Sequence, residues 1–136
     1  MATDQYHEPP GELPQSIRTF ARVCVSLQEE AEAIGWYEQR IALEQDAEAR
    51  AVMRDAQGEE FKHFSMALES LLRRKPRWRE IAQGILFQDG DIVEHGEESE
   101  AEAEPEAGAS AHSPHPAGGR ESPGSLGIGG LKGVPE

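Results

Sequence analysis

Apolar residues recur through the first two thirds of the chain at intervals of three and four, the spacing that lines up side chains on one face of a helix. Ile17, Phe20, Cys24, Leu27, Ala31, Ile34 and Ile41 share such a face, with Glu30 and Tyr37 at its edge. Pro14 suits a first helical turn, so a helix is expected from there to about Gln45. Asp46 reads as the N-cap of a second helix over about Ala47 to Arg74, which must stop before Pro76 because a residue preceding proline is driven out of the helical region. Val52, Met53, Ala56, Phe64, Ala67 and Leu71 form its apolar stripe, and Trp78 to Phe87 reads as a short third helix. The Pro- and Gly-rich residues 1–13 are expected to be a flexible N-terminus. The fold class expected for residues 14–89 is therefore all-α: two long antiparallel helices plus a short C-terminal one.

Beyond about Asp89 the periodicity dissolves into Glu, Ala, Gly, Ser and Pro, and residues 90–124 are expected to be a disordered acidic linker. In residues 125–136 the pattern changes again. Leu126, Ile128 and Leu131 return as isolated apolar residues among glycines, which reads as a short docking peptide.

Within the second stripe stand two residues that do not belong to an ordinary core, Glu60 and His63. A buried carboxylate without a partner is costly enough to protonate, so Glu60 needs a companion inside the helical packing. A metal ion is one such companion. Glu60 and His63, separated by Phe61 and Lys62, put a carboxylate and an imidazole at neighbouring positions of one helix face. This matches the known Glu-x-x-His arrangement of ferritin-like di-iron proteins, in which further Glu residues come from facing helices. Such a site takes four helices, and this domain offers two long ones. A symmetric dimer supplies the rest: two Glu30, two Glu60 and two His63 give the four carboxylates and two imidazoles of the pattern, and their charges balance two divalent cations. A Glu–His pair buried at the seam of a purely structural helical dimer is the alternative reading of the same residues.

Size and charge narrow the picture further. A chain of 136 residues with 37% hydrophobic residues and a mean hydropathy of -0.65 permits one small domain without a large core of its own, and dimerisation would provide what it lacks. The net charge of -13 argues against general nucleic-acid binding, which needs a basic stripe to neutralise phosphates. It is compatible with attracting cations. No stretch approaches the ~20 apolar residues of a membrane span, and the N-terminus lacks the basic start and apolar run of a secretory signal, so a cytoplasmic origin is expected. The single Cys24 leaves no internal disulfide framework and reads as a small hydrophobe on the first helix. Glu29 and Glu32 project from the opposite side of that helix, near Val25 and Trp36, where an acidic pair could receive metal or be a solvated face.

With EEAEAIGWYEQRI at 29–41 and GEEFKHFSMALESLLRR at 58–74, the sequence resembles the encapsulated ferritin family over roughly residues 16–87. The resemblance implies two-helix protomers that build a di-iron ferroxidase centre between paired subunits, assemble as an annular homodecamer, oxidise Fe(II) and pass Fe(III) to the interior of an encapsulin shell. By position it implies Glu30, Glu60 and His63 as iron ligands, Tyr37 beside them, and Glu29 and Glu32 as carboxylates that receive metal on its way in. Gly35 stands where the family is expected to carry an acidic residue. Leu126-Gly127-Ile128-Gly129-Gly130-Leu131-Lys132-Gly133 similarly resembles an encapsulin cargo-loading peptide, with Gly127 and Gly130 where hydroxyl residues are usual. The resemblance therefore implies an encapsulin nanocompartment as the place of work, with the acidic linker as a tether whose reach is on the order of 30 Å. Two other functions fit the residues: a non-catalytic helical cargo or scaffold protein, and a di-iron oxygenase or peroxidase, which would need a substrate pocket beside the metals.

Overall fold

Pro14, extended at ψ 149°, lends its carbonyl oxygen to the amides of Ile17 and Arg18 at 3.0 and 3.1 Å and starts the first helix, α1, Gln15–Leu43. The computed structural model describes residues 5–106. α1 ends about two residues earlier than expected, because Glu44 turns extended and its carbonyl and carboxylate are used by the connection that follows. The Glu44 carbonyl accepts from Arg50 Nε at 2.9 Å, and its carboxylate accepts from the Asp46 amide at 2.8 Å. Asp46 is the N-cap expected of it: its Oδ1 accepts from the Ala49 amide at 2.7 Å and starts α2, Ala47–Arg74.

Helix α3, Pro76–Ile85, begins two residues before its expected start. Proline at the first helical position lacks only an amide that would have had no partner there, and its fixed φ is already helical. α3 also stops two residues early: Leu86 is extended and Phe87 takes φ +62°, a left-handed conformation that a helix cannot pass through.

The largest departure follows. Residues 90–124 were expected to lack structure throughout, yet Ile92–Glu102 form a fourth helix, α4. Asp91 caps it, accepting from the amides of Val93 and Glu94 at 2.8 and 3.0 Å, after a turn that needs Gly90 at φ +112°. α4 packs against α3 and no other helix. The contact is close: a Cβ added to Gly84 would lie 1.9 Å from Ser99 Oγ, so only glycine fits there. Arg77 of α3 supplies the far end, donating from Nη1 to the carbonyls of Ala103 at 2.8 Å and Glu104 at 3.3 Å, while Glu80 accepts from the Glu104 amide at 2.9 Å. A cation at the C-terminal end of a helix satisfies carbonyls that have no internal partner and complements the dipole. α4 has no basic residue in its own last turn, and Arg77 takes that place.

α1 and α2 run antiparallel, as contacts from Glu44–Arg50 through Gln57–Glu38 to His63–Glu30 trace them in opposite directions. The described residues are all-α. Their buried set is short: Leu71, Leu72, Ala82 and the polar Gln57. α1 has no fully buried residue, and Trp36, Val52, Phe61 and Met66 are each at least half exposed. Val52 therefore leaves the stripe assigned to it. The expected peptide residues Leu126, Ile128 and Leu131 lie outside the described residues.

Candidate metal centre

The antiparallel register brings the middle of α1 against the middle of α2. Glu30 comes from the first helix, and Glu60 and His63 from successive turns of the second. One ligand atom from each of the three lies within 4.8 Å of the others, the only such group of His, Cys, Asp or Glu among the described residues. His63 Nδ1 stands 3.4 Å from Glu60 Oε2 and 4.0 Å from Glu30 Oε2. The two carboxylates are three-quarters buried and the imidazole about half, with side-chain exposures of 25% for Glu30, 22% for Glu60 and 45% for His63. His63 thus sits at the margin of the stripe, while Glu60 lies within it.

Two carboxylates this close cannot both be comfortably ionised. A hydrogen bond to Glu60, then partial burial and the Glu60 charge, push the Glu30 carboxyl above the ordinary value of 4.5. Glu60, accepting that hydrogen bond and a second from His63, is held below it. Their opposite shifts reflect mutual repulsion that a positive charge would relieve. A divalent cation could supply that charge, since carboxylate oxygen with imidazole nitrogen is a donor set suited to iron, manganese or zinc. The three residues fit such an ion and leave part of its coordination sphere to be filled from elsewhere.

The other expected site residues are not gathered here. Tyr37 is seven residues beyond Glu30, about 10 Å along the helix axis, and its ring lies 5.7 Å from the Arg40 guanidinium. Glu29 and Glu32 are exposed and outside the cluster, although the Glu29 charge adds slightly to the pressure on Glu30.

One neighbour of the cluster escaped the sequence reading. Gln57, 8% exposed, is the one buried polar side chain among the described residues. Its Nε2 donates to Glu38 Oε2 at 2.8 Å and to the Ile34 carbonyl at 3.3 Å, across the seam one turn from Glu30 and Glu60. The signal was present in the spacing. Gln57 is four residues after Met53 and three before Glu60, on the stripe itself.

The fold and the cluster both find counterparts in known proteins. The family model described as EncFtn-like matches residues 5–89, which hold all three residues of the cluster. The chain belongs to the EncFtn-like, or encapsulated ferritin, family. Within reach of it is a protein from Thermotoga maritima named "Ferritin-like protein", 42% identical over 101 residues, covering 74% of this chain and 89% of the relative. Another, from Rhodospirillum rubrum, is named "Encapsulated ferritin-like protein" and is 35% identical over 132 residues, 97% of this chain and 91% of its own length. Among solved structures, a crystal structure of protein ne0167 from Nitrosomonas europaea superimposes with a TM-score of 0.64 at 34% identity, covering 66% of this chain and 99% of that one. The family match ends at residue 89, so α4 lies beyond it. No helix among the described residues is long and apolar enough to cross a membrane.

Proposed function

We propose that this encapsulated ferritin is a ferroxidase whose substrate iron is held between two copies of the chain. The observation that carries the reading is the convergence of Glu30, Glu60 and His63 from facing helices on one partly open point. Three ligands from one chain are half of a two-iron site, and a second copy related by a two-fold axis doubles them to four carboxylates and two imidazoles. The same pairing would cover the apolar side chains that a hairpin with so few buried residues leaves exposed.

Each chain's part in the reaction follows from its charges. The carboxylates draw in Fe(II), whose charge relieves the repulsion between Glu30 and Glu60, and their negative charge favours the ferric product over the ferrous substrate. Two Fe(II) each give up one electron to dioxygen or peroxide. His63, as a neutral donor, adds an orienting ligand without adding charge. In the pairing proposed, Tyr37 of one copy is available to the edge of the centre, and Glu29 and Glu32 give arriving cations an acidic approach. Assembly extends to an annular decamer, and Leu126, Ile128 and Leu131 dock the protein inside an encapsulin nanocompartment, where ferric iron is deposited. The relative named as encapsulated supports that placement.

The test is anaerobic addition of Fe(II) to the purified full-length protein followed by air, with ferric absorbance followed against an iron-only control. The protein should outpace the control by an order of magnitude or more, and Glu30→Ala, Glu60→Ala and His63→Ala should each return the rate to the control while the assembly stays intact by light scattering. A control-level rate in the unmodified protein would leave a non-catalytic cargo protein as the better account.

A further inference from the structure

We propose that Gln57 is a positioning residue: its carboxamide fixes the register of α1 against α2 and thereby the distance between Glu30 and the Glu60–His63 pair. The inference rests on the metal-binding reading of that cluster and adds to it a residue that touches no metal.

The short turn, with its Glu44 and Asp46 hydrogen bonds, holds one end of the hairpin in register, but the apolar seam beyond it adds little direction of its own. On the α1 side that seam is lined by Phe20, Cys24, Leu27, Ile34 and Ile41, none of them fully buried. Apolar contacts are non-directional, so away from the turn they resist a small shift or twist of one helix against the other less sharply than a hydrogen bond does. The cluster tolerates no such shift. Each residue of helix is about 1.5 Å of axial travel, and His63 Nδ1 is already 4.0 Å from Glu30 Oε2.

Gln57 supplies a directional contact in the middle of the seam, about ten residues of α2 away from the turn. Both hydrogens of its amide are used, one on the Glu38 carboxylate at 2.8 Å and one on the Ile34 carbonyl at 3.3 Å, so the side chain grips two successive turns of the opposite helix at once. At 8% exposure water cannot readily replace those partners. Ile34 is four residues from Glu30 on α1, and Gln57 is three residues from Glu60 on α2, so the grip is applied one turn from the cluster on both sides. A single buried polar residue that selects register at some expense of stability is a known device in paired helices.

The test separates register from stability. Gln57→Leu keeps the volume and removes both donors, and neither partner is stranded: Glu38 is exposed, and the Ile34 carbonyl keeps its place in the helix ladder. The melting temperature of the full-length variant should be unchanged or higher. Its affinity for Co(II), titrated as a redox-inert stand-in for Fe(II), should fall tenfold or more. Glu38→Gln retains an acceptor for Gln57 and should keep affinity within about threefold.

Register is also read without metal. Spin labels at the exposed positions Ser26 and Ala51, in a Cys24→Ser background diluted with unlabelled chain, should give one narrow distance with Gln57 and a broadened or second distance with Leu. Unchanged affinity together with an unchanged distance in Gln57→Leu would overturn the proposal. If the unmodified protein binds Co(II) but does not oxidise iron, the ferroxidase reading fails and the affinity arm still decides on Gln57. If it binds no metal at all, the spin-label distances decide alone.

Discussion

The α1–α2 hairpin and the α3–α4 pair solve the problem of holding two helices together in opposite ways. The hairpin is long, 29 and 28 residues, and meets along a broad seam that contains a glutamine, two glutamates and a histidine. The α3–α4 pair is short, 10 and 11 residues, and meets through a glycine at near-backbone contact and an arginine that closes the far end. Where helices are long, surface area can carry polar groups that do chemistry. Where they are short, caps and close approach must substitute for area.

The largest effect that would break this contrast is expected from Leu71→Ala, since Leu71 is fully buried and little else is. Truncation should cost about 3 kcal/mol, seen as a fall in urea midpoint at unchanged slope. Next comes Gly84→Ala. Its methyl would meet Ser99 Oγ at 1.9 Å and Ser99 Cβ at 2.8 Å, so the pair must part at a cost of about 2 kcal/mol. Hydrogen exchange should locate that loss in α4 and leave the amides of α1 and α2 as protected as before, because α4 packs on α3 alone.

How much of this the sequence disclosed follows the same division. The hairpin was legible because burial writes itself into periodicity: α2 runs over the expected residues, Asp46 caps it, and Glu60 and His63 were conspicuous as polar residues among apolar ones. α4 was not legible, because what holds it is a glycine on α3, an arginine seven residues earlier and an Asp cap. None of these leaves an apolar stripe in EHGEESEAE. Gln57 was hidden for a related reason. A single glutamine on a helix face looks solvated until the facing helix shows Glu38 and Ile34 waiting for its amide. The start of α3 was misplaced by two residues because Pro76 begins a helix as readily as it stops one, and its end by two because Phe87 takes a left-handed conformation that its residue type does not announce.

Smaller changes sharpen the comparison. Asp46→Ala removes the one side-chain cap of the hairpin turn and should cost about 1 kcal/mol, a loss of a few degrees in melting temperature without change in α3 or α4. Smallest is Glu69→Gln, at the joint between the two halves. Glu69 Oε1 accepts from Arg73 of α2 at 2.7 Å and Arg79 of α3 at 3.0 Å, and these bonds hold its carboxyl below the ordinary 4.5. A lowered value in the folded state means the stabilisation is present above the unfolded value and is lost as pH falls through the folded one. The unmodified protein should therefore melt slightly higher than the variant at pH 7, by a margin that closes as the pH is taken below 4.5.

Only Glu44, Gln45 and Asp46 separate α1 from α2. The contacts that bring Glu30 to Glu60 and His63 are therefore reached by zipping outward from one short turn, so the first loop to close is small. Residues up to Arg74 carry all three side chains, so one chain's share of the cluster is encoded ahead of α3 and α4. The order of residues thus puts one chain's half of the proposed chemistry first, and the helices that follow add to it without contributing a ligand.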